Sequence, residues 1–69
     1  MNKRRVTDRI LQHRTNIRLF ETKLKKLRKL MKKGDTFSVY YYGGMEASLL
    51  MQIEREQYVI STLKKVLEP

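Results

Sequence analysis

Apolar residues recur through the first half of the chain at Val6, Ile10, Ile17, Phe20, Leu24, Leu27 and Met31, with His13 in the one polar slot of the series. The steps alternate between four and three residues, the period of a helix that presents one stripe to a partner helix. No Gly or Pro falls within residues 3–33, so the pattern predicts one long helix over 3–33. Lys32-Lys33-Gly34 is its stop signal. Cations in a last turn face the negative helix end, and glycine takes the left-handed position beyond it.

A second apolar face is formed by Met45, Leu49, Ile53, Val59, Ile60, Leu63, Val66 and Leu67, with Glu46 in what would be the first turn. It predicts a helix over 45–67. Between the two lies Thr36-Phe37-Ser38-Val39-Tyr40-Tyr41-Tyr42, dense in β-branched and aromatic residues, followed by Gly43-Gly44. Such a composition favours extended backbone and then a turn. The expected fold is therefore a single all-α domain over 1–69, an antiparallel helical hairpin with a short extended or β segment at 35–42 between its helices. In that register Leu27 lies near Leu49, Leu24 near Ile53, Ile17 near Ile60 and Ile10 near Leu67.

Two features predict self-association, as a homodimer. A lone strand leaves its backbone unpaired unless a second chain supplies a ladder. In addition, Leu19 and Leu30 lie off the first seam, and Leu50, Met51 and Tyr58 lie off the second. In the extended segment Phe37, Val39 and Tyr41 would face one way and Ser38, Tyr40 and Tyr42 the other. Phe37, Val39, Tyr40, Tyr41, Tyr42, Leu19 and Leu30 are the expected interface. Tyrosine is enriched in such surfaces.

Three polar residues interrupt the seams: His13 on the first, and Gln52 and Glu56 on the second. Buried polar groups need partners. The expected register places Glu56 level with Phe20, within reach of Arg14 or Lys23, as a contact that fixes register.

Charge changes the picture more than size does. The 69 residues carry a formal net charge of +9. Residues 1–33 hold 13 of the 16 Lys and Arg against Asp8 and Glu21, or +11. The remainder sums to −2. Arg4, Arg18, Lys25 and Lys32 share one heptad position, flanked by Lys26, Lys29 and Lys33. These seven are the expected binding residues for an acidic protein or a nucleic acid.

With no cysteine and one histidine, disulfides and thiolate metal sites are excluded and no cofactor is expected. No phosphate loop or nucleophile–base pattern is present, so no catalytic residue is assigned. The basic start, Met1-Asn2-Lys3-Arg4-Arg5, lacks the apolar run of a signal peptide, which predicts a cytoplasmic location and no membrane partner. The functional expectation is a small non-enzymatic regulator or adaptor that meets an acidic macromolecule, foremost a protein, through its first helix. In size and charge it is of a kind common among phage and mobile-element products. The alternative is a nucleic-acid-binding protein gripping phosphates with the same face.

Overall fold

The computed structural model describes residues 2–68 apart from Lys33 and Asp35, and leaves out the side chain of Ser38. Two helices account for nearly all of it. Helix α1 runs Lys3–Lys32 and helix α2 runs Thr36–Leu67. They pack antiparallel along their whole length into a rod of 52 × 14 × 12 Å. The length is what a helix of about 30 residues spans at 1.5 Å per residue.

The two ends of α1 follow from local chemistry. Asn2 caps its start: Asn2 Oδ1 accepts a bond from the Arg4 N–H at 3.0 Å. Such a cap satisfies one of the amides left without a carbonyl in the first turn. At the other end Gly34 has φ of 82° and its N–H donates to the Met31 carbonyl at 3.2 Å. This is the left-handed glycine stop that Lys32-Lys33-Gly34 predicts. Lys33, the last residue of the expected helix, lies outside the described residues.

The extended segment expected at 35–42 is corrected. Residues 36–42 form the first two turns of α2, and Gly43-Gly44 continue the helix without turning it; Asp35 lies outside the described residues. Two physical reasons override local strand propensity. A lone strand would leave its amides and carbonyls unpaired, whereas a helix pairs them within the segment. The seam of α2 also continues backwards through this region. Tyr42, Glu46, Leu49, Ile53, Glu56, Ile60, Leu63 and Leu67 are all buried or half-buried, at steps that alternate between four and three. With residues 36–42 helical, Phe37 and Tyr41 fall one turn apart on one flank rather than alternating across a strand.

A shorter connection shifts the register. Only residues 33–35 separate the helices, so α2 begins beside the end of α1. Ile60, expected beside Ile17, joins Val6 and Ile10 in the main buried cluster, with Ile17, Leu63 and Leu67 packed around it. Leu24, Leu27 and Ile53 are buried nearer the turn. Each such aliphatic removed from water contributes about 1.5–3 kcal/mol.

Three threonines of α1 and one of α2 sit mid-helix without breaking it. The hydroxyls of Thr7, Thr15, Thr22 and Thr62 donate to the carbonyls four residues earlier at 2.9–3.0 Å, so their competing hydrogen bonds are satisfied inside the helix.

Candidate acidic-partner interface

The C-terminal half of α1 projects a row of long cationic side chains. Arg18, Lys25, Arg28, Lys29 and Lys32, with Glu21, Thr22 and Leu24, wall an open trough. Helical spacing makes this possible, since residues three, four and seven apart share a flank. Their stems lie along the helix while their charged ends stay in water.

One of the five cations is engaged. Arg28 Nε donates to Glu46 Oε2 at 3.0 Å, tying α1 to α2 near the turn. For Arg18, Lys25, Lys29 and Lys32 no cross-helix carboxylate lies within ion-pair distance among the described residues. The trough is therefore a concentrated positive field beside water. At about 10 Å of screening length in ordinary salt, the four charges act together on anything that docks there.

Four of the seven expected binding residues, Arg18, Lys25, Lys29 and Lys32, come together in this trough. Arg4 sits near the other end of α1, about 21 Å from Arg18 along the axis. Lys26 is exposed but does not line the trough. Lys33 lies outside the described residues. Arg28 was missed by the sequence reading, although its spacing of three from Lys25 and four from Lys32 is the signal that places it there.

Among the expected interface residues, Phe37, Val39, Tyr40, Tyr41, Leu19 and Leu30 are exposed, with Tyr40 at 86% and Phe37 at 74%. Tyr42 is half-buried in the seam. Phe37 and Tyr41 stack with ring centroids 6.0 Å apart and 14° between planes. Tyr42 meets Tyr41 edge-on at 5.1 Å. Such aromatic pairs add modestly to burial energy.

A second concavity lies on the other flank of α1, because Lys23 and Lys25 are two residues apart and project to opposite sides. It is lined by Lys23, Leu27, Gly44, Met45, Ser48, Leu49 and Gln52. Gln52 thus borders a groove at the surface instead of interrupting the core, which corrects its expected place.

The two remaining seam polars find each other. His13 Nδ1 and Glu56 Oε2 are hydrogen-bonded across the helix pair. The expected partners of Glu56, Arg14 and Lys23, are not the ones it takes; the register shift brings it to His13. No buried side-chain nitrogen or oxygen is left without a partner among the described residues. The sequence signal for this pair was present in both seams, but joining them required the register.

No helix among the described residues is long and apolar enough to cross a membrane. The chain matches no protein-family model, no curated protein and no solved structure.

Proposed function

We propose that this hairpin is a small non-enzymatic regulator or adaptor, acting in the cytoplasm, that binds an acidic protein through α1. The observation that carries the reading is the trough of Arg18, Lys25, Arg28, Lys29 and Lys32, in which Arg28 alone is paired across the hairpin. Leaving four cations side by side on one flank is unfavourable for the isolated chain, and an acidic surface relieves it. Both concavities are open to solvent and neither encloses a small molecule, which supports a docking role over a catalytic one.

The reading includes self-association. The hairpin exposes 6029 Å², against about 4,600 Å² for a globular chain of its mass. Among the described residues twelve large apolar side chains are exposed, well beyond the scattered few that a surface of this size needs no partner to explain.

The test is recovery of partners from a host lysate, with and without nuclease, by the wild type and by a Lys25→Glu, Lys29→Glu double variant. A protein retained after nuclease by the wild type and lost by the variant supports the reading. A second reading is a nucleic-acid binder, favoured by the row Arg4, Arg18, Lys25 and Lys32, which runs about 42 Å along α1. It predicts a shift of labelled DNA or RNA that weakens steeply with salt. Capture that depends on nuclease-sensitive material would replace the protein reading with this one.

A further inference from the structure

The flank of α2 that bears the second groove also carries the exposed aromatic pair. Phe37, Tyr41, Gly44, Ser48 and Met51 recur at steps of four, three, four and three, a second heptad stripe on the face of α2 turned away from α1. Its first two members are large and exposed and stack on one another. Its next two are small and border the groove, whose sides are Leu27, Met45 and Leu49. A Cβ built on Gly44 meets nothing within 4 Å, so the space beside it is open.

We propose that this stripe is covered by a second copy of the chain, in a two-fold dimer whose axis passes between Tyr41 and Gly44. When two copies of α2 run antiparallel about that axis, Tyr41 of each falls opposite Gly44 of the other. Phe37 then falls opposite Ser48. Each copy places two aromatic knobs against two small residues and receives the same in return, which is the self-complementarity an isologous interface requires. A foreign partner would have no need of knobs and holes arranged symmetrically on one stripe.

Charge selects the same face. Helix α2 carries Arg55, Lys64 and Lys65 against Glu46, Glu54 and Glu56, a net charge of zero, whereas α1 carries twelve Lys and Arg against Asp8 and Glu21. Two copies can approach along α2 without stacking their cationic helices. Lys23 at the rim of the groove has a stem long enough to turn its charge to water. The area also fits: the excess exposed surface over a globular chain is about 1,400 Å², and a standard interface takes about 800 Å² from each partner. The cationic troughs stay on the outer flanks, so the dimer presents two of them.

The proposal rests on the self-association in the functional reading, and its test separates the two. Sedimentation of the wild type is expected to give a mass of twice 8.3 kDa. Gly44→Leu raises helix propensity yet fills the space Tyr41 would occupy. It is expected to keep its helical circular dichroism while association weakens about tenfold or more. Should Gly44→Leu lose helix content, Ser48→Leu repeats the test one turn along. The chain has no cysteine, so single replacements report geometry cleanly. A mixture of Phe37→Cys and Ser48→Cys chains should form the mixed disulfide on mild oxidation, while Tyr58→Cys, which lies further along the same stripe and about 46 Å from its copy in this dimer, should not link to itself. A single-chain mass at every concentration would overturn self-association itself. A two-chain mass unchanged by Gly44→Leu and Ser48→Leu, a Tyr58→Cys self-link, or any mass other than two chains would overturn this interface and leave self-association standing.

Discussion

The two ends of the hairpin are built differently. Far from the turn, Val6, Ile10 and Ile60 are buried, with Val6 only 3% exposed, and Ile17, Leu63 and Leu67 pack around them. Near the turn, Leu24 and Leu27 are buried, but α2 opposite them carries Tyr42, Glu46 and two glycines. There the helices are tied by Arg28 and Glu46, and the surface bears the exposed aromatics and the cationic trough. The main aliphatic cluster holds one end, and exposed aromatic rings and unpaired cations gather toward the other. A chain of this size has too few residues to do both everywhere, so stability and surface are divided along the rod.

The largest effect should come from breaking the aliphatic end. Ile60→Ala removes the α2 member of the buried cluster, and about 2–4 kcal/mol of unfolding free energy should go with it. Urea unfolding followed by circular dichroism, at fixed chain concentration, measures the loss. Tyr40→Ala near the turn should cost under about 0.5 kcal/mol, because its ring faces water. Similar losses at the two positions would erase the contrast.

Next comes the polar step between the two ends. Glu56→Ala leaves His13 without its cross-helix partner and should cost about 1–3 kcal/mol. Replacing both by leucine should restore most of that stability or exceed it, since an apolar pair has no unmet hydrogen bonds. If the double variant stays as weak as the single one, the pair does more than fix register, and the same unfolding curves decide it.

A gain is expected at Gly43. It lies within α2 with open space around a Cβ, and its φ is not in the left-handed region. Gly43→Ala should stabilise the hairpin by about 1 kcal/mol, read as a rise in melting temperature. No rise would mean that residues 36–44 gain nothing from helix propensity, and the helical account of the turn end would fall. The smallest effect should be at the turn-end tie itself. Arg28→Ala breaks an exposed ion pair worth about 0.5 kcal/mol at most, and double-variant analysis with Glu46→Ala isolates it.

Much of this was legible beforehand, for identifiable reasons. The stripe from Val6 to Met31 has no competing pattern, and Gly34 follows a cationic last turn, so α1 and its stop could be read locally. Three of the cations of the trough, Arg18, Lys25 and Lys32, were visible as a heptad row, with Lys29 beside it. Residues 36–42 misled because strand propensity measures how side chains suit a pleated surface, and no such surface exists here for them to join. The spacing that argued otherwise, Tyr42 to Glu46 to Leu49, was masked by a glutamate where an apolar residue is expected and by the two glycines that look like a turn. Gln52 was placed in the core by the same error of register.

The linear sequence by itself determined two amphipathic helices, their antiparallel order and the segregation of positive charge onto the first, because each depends on residues within a few turns of one another. The tertiary structure alone decided that residues 36–44 are helical, which brings Ile60 to Val6 and Ile10, His13 to Glu56 and Arg28 to Glu46. These outcomes depend on the length of the connection and on which seam positions meet across it. The free energy of that meeting lies in contacts between residues far apart in the chain, and local propensity carries no record of it.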